Sequence, residues 1–386
     1  MASANRIPRR NSLTQHVQLQ SFHEKNGHLT EFAGFKLPLW FKGIIPESLA
    51  VRNAVGIFDV SHMGRALIRG KDSQRFLDRI TTNDVASLKQ GLGQYSLLCN
   101  QEGGIKDDVL VFNLQQDQYL IVYNAANRSG DYGWFIANSE GFEVEVEDVS
   151  DEVAMFAVQG PKAVGLVSGL AGSQLERLPR FGCAWAQLGG RRVLASRTGY
   201  TGEDGFEIFV FDSPIGNPQN AEFVWDSLLT AGQRLGIQPC GLGARDLLRL
   251  EAGLCLYGTD MDERTNPFEA RLGFVVKLHK EFIGRSRLQE IKQKGPERVR
   301  VGLVTENRVI PRHGFSVTSD GEEIGLVTSG TLSPILNSGI AMGYVKQTTQ
   351  QDARVKIHIR DRFEGAKVVK PPFYDTSRYG YSRKVE

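Results

Sequence analysis

Residues 100–108 read NQEGGIKDD and lead directly into the apolar run VLVF at 109–112. A glycine pair followed by a short run of β-forming residues is typical of a strand entered from a tight loop. The pattern predicts two adjacent carboxylates, Asp107 and Asp108, at the mouth of that strand. Because neighbouring strand side chains point to opposite faces, we expect one carboxylate to serve the interior and the other to be solvated or structural. A hairpin tip with two surface aspartates is the alternative, since turns favour Asp and Gly.

The composition is that of a soluble globular protein of several domains. The chain has 386 residues, and its 46 basic and 44 acidic side chains leave a net charge of +2. This balance gives no electrostatic reason to expect nucleic acid or an anionic membrane as a partner. No apolar run approaches the roughly 20 residues that a membrane-spanning helix needs. We therefore expect neither a nucleic-acid partner nor a membrane partner.

The cysteines and histidines do not have the spacing of a metal site. The four cysteines are scattered without a CxxC pair, and the seven histidines show no HExxH spacing. We expect no bound metal ion. We also expect a cytoplasmic protein whose four cysteines are reduced thiols. The first 14 residues contain three arginines and no acid, as transit peptides do, but Pro8 interrupts any amphipathic helix. A loose N-terminal arm is the favoured interpretation, with ordered structure from about Leu13.

The order of predicted elements indicates an α+β protein with a separate C-terminal β unit. Helices and strands do not alternate as regular βαβ units, so a doubly wound sheet is not favoured. Gly295-Pro296 marks a boundary, after which short strands are separated by turns. The predicted strands before it cover 66–68, 95–99, 109–114, 119–123, 154–158 and 208–210, and the predicted helices cover 73–80, 221–231, 244–251 and 285–294.

A second glycine-rich segment, RTGYTGEDGFE at 197–207, leads into a strand. It lacks the spacing of a phosphate loop, and no helix follows it. Its last residue, Glu207, lies at the predicted start of the strand, where a carboxylate can accept two parallel N–H bonds from a flat heterocycle with an amino group. A bulged hairpin with surface acids is the alternative.

The segment GLGARDLLRLE at 241–251 reads as a helix that carries two arginines on one face. Arg245 and Arg249 are four residues apart, and two like charges there are mildly unfavourable unless an acid or an anionic ligand lies between them. A salt-bridged helix with Glu251 or Asp246 as partner is one alternative, and a ligand contact for at least one arginine is the other. Asp59 and His62 suggest acid–base chemistry, although a hydrogen-bonded structural histidine is the favoured interpretation.

Five segments in this order and spacing resemble the aminomethyltransferase (T-protein) family of the glycine cleavage system, within the folate-binding superfamily. The resemblance covers about residues 13–379, nearly the whole chain. Each segment alone is a weak signal, and the set is specific. The segments are FDVSHM at 58–63, GGIKDD at 103–108, GYTGEDGFE at 199–207, the stretch 241–253, and TSGTLSP at 328–334.

The resemblance implies a three-lobed, cloverleaf-like α+β chain. Two intertwined α+β folate-binding subdomains would occupy 13–285, and an all-β barrel or jelly-roll-like domain would occupy 296–376. Tetrahydrofolate, the acceptor substrate, would bind in a central channel. The implied reaction transfers the methylene carbon from the aminomethyl-dihydrolipoyl arm of lipoylated H-protein to tetrahydrofolate, and yields 5,10-methylenetetrahydrofolate and ammonia.

The resemblance also implies roles for individual residues. Asp107 matches the family's catalytic aspartate beside N-10 of the folate, Glu207 its pterin-binding glutamate, and Arg245 its folate-site arginine. One departure is Phe274, which stands where several relatives carry Trp and which lacks the indole N–H. Further matches to pocket-lining or ligand-contact positions are Tyr95, Met63, Val122, Asn124 and Arg378.

Three other functions compete with this interpretation. A folate-dependent demethylase of a small sulfonium or methylamine compound would use a similar pocket and would work without a carrier protein. A folate-binding protein of iron–sulfur assembly would carry a KGCYxGQE motif, whereas residues 199–203 read GYTGE and contain no cysteine. A structural β-rich adaptor would leave Asp107, Glu207 and Arg245 unexplained.

Overall fold

The computed structural model describes residues 14–383, so the predicted N-terminal arm and its end near Leu13 lie outside the described residues. None of the helices in the described part is long and apolar enough to cross a bilayer.

The helices are α1 Gln20–Asn26, α2 Ile44–Asn53, α3 Ser73–Ile80, α4 Arg128–Asn138, α5 Ala163–Ala171, α6 Gln219–Gly232, α7 Leu242–Glu251 and α8 Arg285–Lys294. The strands of the N-terminal region are β1 His28–Phe32, β2 Phe35–Trp40, β3 Gly56–Asp59, β4 Gly64–Arg69, β5 Gly93–Cys99, β6 Ile105–Gln115, β7 Gln118–Tyr123, β8 Glu145–Asp148, β9 Ala154–Gln159, β10 Cys183–Leu188, β11 Arg191–Ser196, β12 Gly205–Val210 and β13 Gln238–Pro239. The C-terminal strands are β14 Arg298–Thr305, β15 Ser316–Ser319, β16 Glu322–Ser333, β17 Ser338–Lys346, β18 Arg354–Ile359 and β19 Arg362–Val369.

The first sheet has five antiparallel strands in the order β5-β6-β7-β4-β8. Strands β6 and β7, which contain the predicted strands 109–114 and 119–123, form a hairpin with Gln115 opposite Gln118. One face of the sheet packs against α3 and α4. Phe76 and Ile80 lie on one side of α3 and join Phe135 of α4 in a buried cluster, which is how an amphipathic helix covers a sheet. Helices α3 and α8 have the bounds predicted from the sequence.

The second sheet has six strands in the order β10-β11-β12-β9-β3-β13. Strands β3 and β13 come from distant parts of the chain, and β3 pairs antiparallel with β9 and parallel with β13. The chain therefore passes between the two sheets, which makes the two α+β units intertwined. Helices α5 and α6 cover the outer face, where Trp225 packs edge-on against Phe156 with ring centroids 5.2 Å apart.

The remaining faces of the two sheets meet in a shared core. Phe112 of β6 and Phe209 of β12 pack edge to face at 6.0 Å, and Ala244 and Leu248 of α7 close the same cluster. Residues of β6 and β12 that point inward therefore face the interior between the sheets. Asp108, Leu110 and Phe112 share this face of β6, because strand side chains alternate.

Residues after Arg298 form a closed antiparallel barrel in the order β14-β17-β16-β15-β18-β19. The separate all-β unit was predicted, with strands at 301–304, 324–327, 340–345 and 355–359 that lie within β14, β16, β17 and β18. Strands β15 and β19 were not predicted. Strand β15 reads SVTS and carries one apolar side chain, so its assignment depends on pairing with β16 and β18. The predicted domain limits, 13–285 and 296–376, stay predictions.

Buried ion pairs join α2, α7 and the C-terminal segment. The Arg52 guanidinium of α2 donates to Glu203 at 2.8 Å and to Glu251 at 2.8 Å. Glu251 also accepts a hydrogen bond from Ser333 of β16 at 2.6 Å, and Glu203 pairs with Arg383. All the side chains of the Arg52 pairs are at most 1% exposed. Each charge is thus compensated, which is the condition for keeping ions in an interior.

We expect Arg52→Met to lower the free energy of unfolding by about 3–5 kcal/mol, because the buried Glu251 would lose its cation and Glu203 would keep only Arg383. Urea unfolding followed by circular dichroism measures this loss. The control is Arg69→Met, which breaks the exposed pair with Glu147 and should cost less than about 1 kcal/mol. Equal losses in the two variants would contradict the assigned role of Arg52.

Candidate functional site

The two adjacent aspartates lie within β6. The strand begins at Ile105, and Asp107 and Asp108 pair with Leu98 and Leu97 of β5. The predicted position at the mouth of the strand is therefore wrong by two residues. The hairpin-tip alternative is also wrong, because Asp107 is fully buried and Asp108 is half-buried.

Asp107 is bound on both carboxylate oxygens by one residue at the end of β7. The backbone N–H of Asn124 donates to Oδ2 at 2.9 Å, and its side-chain Nδ2 donates to Oδ1 at 2.7 Å. Both oxygens of Asp107 therefore have a donor within the fold, and its predicted catalytic role stays a prediction.

Asp108 points to the interior between the sheets and has two donors of its own. Asn124 Nδ2 donates to its Oδ1 at 2.8 Å, and the Tyr95 hydroxyl donates to its Oδ2 at 3.0 Å. Burial and the charge of Asp107 raise the pKa of Asp108 to about 7, and the hydrogen bonds from Tyr95 and Asn124 act in the opposite direction. This carboxyl can therefore exchange a proton near neutral pH.

Glu207 lies inside β12, two residues after its first residue. It is 5% exposed, and Thr198 donates to its Oε2. Thr198 in turn shares a hydrogen bond with Ser196 at 2.6 Å. Burial raises the pKa of Glu207, while Thr198 and the charge of Arg245 lower it. No residue within 14–383 forms a hydrogen bond to its second oxygen, so Glu207 retains an acceptor for a ligand.

The two arginines of α7 have different surroundings. Arg249 pairs with Asp246 at 2.7 Å and with the buried Asp260 at 2.5 Å. The salt-bridged alternative is correct for this arginine with Asp246 as partner, while Glu251 pairs with Arg52 instead. Arg249 therefore has a structural role in fixing α7.

The Arg245 side chain has no hydrogen bond or ion pair with any residue of the described chain 14–383, and its backbone N–H donates to Gly241 within the helix. Its guanidinium carbon lies 4.7 Å from the centroid of the Tyr200 ring. Burial lowers its pKa, and the nearby Tyr200 and Glu207 act in the opposite direction. The guanidinium remains a cation with free donors, which suits a polar or anionic ligand.

Tyr200 connects the two halves of this site. Its hydroxyl donates to the backbone carbonyl of Cys255. Burial and the charge of Asp108 raise its pKa, whereas Arg249 and Arg245 act in the opposite direction. Tyr200 was not predicted as a site residue. The available signal was an aromatic residue between Gly199 and Gly202, in the glycine-rich segment that leads to Glu207.

Of the other residues singled out in the sequence, two lie in the core between the sheets and two lie at the surface. Met63 is half-buried against the core between the sheets, and Val122 is 3% exposed in the same core, opposite Leu110. Arg378 is exposed, and its guanidinium contacts the ring of Tyr379 in its own segment. Among residues 14–383, no hydrogen bond or ion pair joins the Arg378 side chain to Glu207, Arg245 or Asp108. Phe274 is 66% exposed, so its ring is a surface feature.

Asp59 and His62 belong to the framework. Asp59 lies 2.8 Å from His23 Nε2, and both side chains are at most 1% exposed. Burial and the charge of Arg245 lower the pKa of His62 to about 3, which keeps its imidazole neutral. This supports the structural interpretation. Within residues 14–383, no group of three or more His, Cys, Asp or Glu is placed to hold a metal ion.

The comparison with known proteins agrees with this architecture over nearly the whole chain. The GCVT N-terminal domain family matches residues 19–280, and the glycine cleavage T-protein C-terminal barrel domain family matches residues 298–375. The chain belongs to the aminomethyltransferase (T-protein) family of the glycine cleavage system. The resemblance seen in the sequence is thereby confirmed.

Individual relatives of this T-protein family member cover it almost completely. An aminomethyltransferase of Bacteroides thetaiotaomicron is 46% identical over 89% of this chain and 94% of the relative. A probable aminomethyltransferase of Pyrococcus horikoshii is 42% identical over 97% of this chain and 100% of the relative. The crystal structure of glycine cleavage system aminomethyltransferase T from Bartonella henselae superposes with a TM-score of 0.86 at 35% identity, over 95% of this chain and 99% of that one. The predicted α+β class with a C-terminal barrel is confirmed.

We expect Tyr95→Phe to raise the pKa of Asp108 above its value of about 7, because the Tyr95 hydroxyl donates to the ionised carboxylate and favours it. The rise should be roughly one unit. Titration of the carboxyl carbon by NMR measures it. Tyr132→Phe is the matched control, since it removes a hydroxyl that donates only to the carbonyl of Val146. A lower pKa of Asp108 in Tyr95→Phe would contradict this role.

Proposed function

We propose that this T-protein family member binds tetrahydrofolate in the interior between the two sheets and is the aminomethyltransferase of a glycine cleavage system. The observation that carries the proposal is the position of the unpaired cation Arg245, which lies over the Tyr200 ring at 4.7 Å and near the buried Glu207, while the inward-facing Asp108 is near Tyr200 on the other side. A flat heterocycle with several N–H groups, a carbonyl and a basic amine matches these side chains one by one. The names of the relatives support the same reaction.

Glu207 and Arg245 are suited to the pterin ring. Glu207 lies in a rigid strand and offers its second oxygen, with Thr198 holding the first. A carboxylate in this setting accepts parallel N–H bonds from an amino-substituted ring, each worth about 1.5–3 kcal/mol when buried. Arg245 offers donors to the ring carbonyl and stacks on Tyr200. These contacts would orient the ring before the one-carbon donor arrives.

Asp108 is the better candidate for the acid beside N-10, the role that the sequence resemblance gave to Asp107. Asp107 is fully buried and uses both oxygens on Asn124. Asp108 is half-buried, faces the shared interior and influences the pKa of Tyr200. Its pKa of about 7 is near the value at which a carboxylate is most useful for accepting and returning a proton.

The proposed reaction needs two protons to move. N-5 and N-10 of tetrahydrofolate form new bonds to the methylene carbon and lose one proton each. The bonds from that carbon to the lipoyl sulfur and to the amine nitrogen break, and these two atoms take up the protons as thiol and ammonia. The Asp108 carboxylate would orient N-10 and accept its proton, and holding both nitrogens against the carbon supplies much of the rate.

The donor would arrive on a lipoylated H-protein, in the cytoplasm. The family's place in the glycine cleavage system supports the carrier. Within the described residues all four cysteines are buried and free, which is consistent with a reducing compartment. The near-neutral charge of the chain gives no support for nucleic acid or membrane as partners.

The decisive experiment mixes the purified protein with tetrahydrofolate and aminomethylated H-protein, and follows ammonia and 5,10-methylenetetrahydrofolate. Turnover that requires the carrier supports the proposal. Turnover with a free sulfonium or methylamine donor and none with the carrier would replace it by a demethylase. Absence of tetrahydrofolate binding would remove the pocket assignment.

We expect Asp108→Asn to bind tetrahydrofolate normally and to lower kcat by about 10²–10⁴-fold, because the amide cannot accept the N-10 proton. Asp107→Asn should cause a smaller loss, since it disturbs Asn124 and acts on Asp108 only indirectly. Single-turnover kinetics and tetrahydrofolate titration measure both effects. A larger loss in Asp107→Asn, with folding intact, would return the catalytic role to Asp107.

We expect Glu207→Gln to weaken tetrahydrofolate binding by about 10–100-fold, because the loss of one charge-assisted hydrogen bond costs about 1.5–3 kcal/mol. The kcat should change little, since Glu207 does not face the reacting carbon in this proposal. Isothermal titration gives the Kd. Glu147→Gln, an exposed acid of β8, is the control and should bind as the parent protein does. An unchanged Kd in Glu207→Gln would exclude it from the pterin site.

A further inference from the structure

The glycine-rich segment 199–205 lies against one fully buried amide, that of Gln159. Gln159 is the last residue of β9, and it pairs with Gly205 of β12 on one side and with Gly56 of β3 on the other. A Cβ atom at Gly199 would lie only 1.9 Å from its Oε1. A side chain at position 199 would therefore displace the amide, so the glycine is what allows the backbone to pass directly over it.

The Gln159 amide holds both ends of the turn 198–201. Its Nε2 donates to the backbone carbonyl of Thr198 at 3.0 Å, and its Oε1 accepts a hydrogen bond from the Thr201 hydroxyl at 2.9 Å. Nε2 also lies 3.3 Å from the carbonyl of Val158. The donor and the acceptor of one planar group are thus both used on the same turn. An apolar side chain of similar length could fill the space, but it could not hold the turn.

The turn that Gln159 holds carries two side chains of the proposed pterin site. Thr198 donates its only hydroxyl hydrogen to Glu207. Tyr200, in the middle of the turn, presents its ring to the guanidinium of Arg245 at 4.7 Å. A shift of the turn would therefore move the donor that fixes one oxygen of Glu207 and the ring that Arg245 contacts.

We propose that Gln159 is a positioning residue for the pterin ring, and that it sets how strictly the site selects a ring with a 2-amino group. This inference rests on the proposed role of Glu207. By holding the turn, Gln159 keeps the Thr198 hydroxyl on one carboxylate oxygen, and the other oxygen stays free for the ligand. Without this support the carboxylate can rotate, and it loses the fixed direction that a pair of parallel N–H bonds requires.

Gln159→Met keeps the approximate volume of the side chain and removes both hydrogen bonds to the turn. We expect the Kd for tetrahydrofolate to rise about tenfold, because Glu207 loses its support. The kcat should stay within about twofold, because Gln159 forms no hydrogen bond to Asp108 in the described chain. Isothermal titration and single-turnover kinetics measure the two quantities.

Gln18→Met is the matched control. Gln18 is also a buried glutamine, and its Nε2 donates to the backbone carbonyl of Asp151 at 3.2 Å, away from the glycine-rich segment. This variant likewise replaces a buried amide by a thioether and removes a hydrogen bond to a carbonyl. It should bind tetrahydrofolate as the parent protein does.

Ligand selectivity separates positioning from packing. The parent protein should prefer tetrahydrofolate to 2-desamino-tetrahydrofolate by about 10–100-fold, the ratio that one charge-assisted hydrogen bond supplies. In Gln159→Met this ratio should fall by about threefold or more, whereas a packing defect alone would weaken both ligands equally. In the Glu207→Gln background, Gln159→Met should change the Kd by about threefold or less, because the two residues act on the same contact.

A measurement without ligand tests the same link. Burial raises the pKa of Glu207, whereas Thr198, which donates to its ionised form, and the charge of Arg245, the charged group that faces it, lower this pKa. When Gln159→Met releases the turn, the carboxylate loses a donor. The pKa of Glu207 should therefore rise above that of the parent protein, and titration of the carboxyl carbon by NMR measures the change. Gln18→Met should leave it unchanged.

Thr201→Val is a second variant, which removes the hydroxyl that donates to Gln159 Oε1 and keeps the shape of the side chain. It should show the same changes as Gln159→Met at smaller size, and it decides the test if Gln159→Met does not fold. An unchanged selectivity ratio, or Kd losses that add in full in the Glu207→Gln background, would overturn the inference. If the parent protein does not bind tetrahydrofolate, the proposed function fails instead. In that case an unchanged pKa of Glu207 in both variants still overturns the role of Gln159, and a raised one supports it.

Discussion

The buried ion pairs of α7 are the constraint on which the site depends. Arg249 and Glu251 attach this helix to Asp260, to Ser329 and Ser333 of the barrel strand β16, and to Arg52 of α2. Separating such a pair would leave a buried charge without its partner, which costs several kcal/mol. The pairs therefore hold α7 firmly in place. Arg245, one turn earlier, therefore keeps its place over Tyr200 without any ion pair of its own among the described residues.

The two ends of the site follow different electrostatic rules. At the Glu207 end, one acid and one cation are near each other without direct pairing, so both retain capacity for a ligand. At the Asp108 end, two adjacent carboxyls of β6 share Asn124 as a donor, and burial together with the charge of Asp107 raises the pKa of Asp108 to about 7. The first arrangement suits binding, because its partners are unsatisfied until a ligand arrives. The second suits proton transfer, because crowding brings one pKa near neutrality.

Local patterns predicted the elements with strong periodicity, such as α3 and α8, the hairpin β6–β7 and the barrel's main strands. They did not predict β15 and β19. The composition of these two segments does not indicate a strand, and they are strands because they pair with β16 and β18. The sequence marked Asp107, Asp108, Glu207 and Arg245, yet alternation alone does not say which aspartate faces the interior. That depends on which face of the first sheet packs against the second, a contact between β6 and β12 about 100 residues apart.

The role of Asn124 illustrates why the polar framework was beyond sequence analysis. A pocket-lining match placed it near the ligand, but its contacts show a residue that binds two adjacent carboxylates of the neighbouring strand. Hydrogen-bond direction is a property of the whole network, because an amide that donates twice requires acceptors on both sides. Asn124 donates to Asp107 and to Asp108 from the end of β7, and Tyr95 donates to Asp108 from β5. The count of donors and acceptors, rather than any single residue pattern, therefore explains how two adjacent acids of β6 are held.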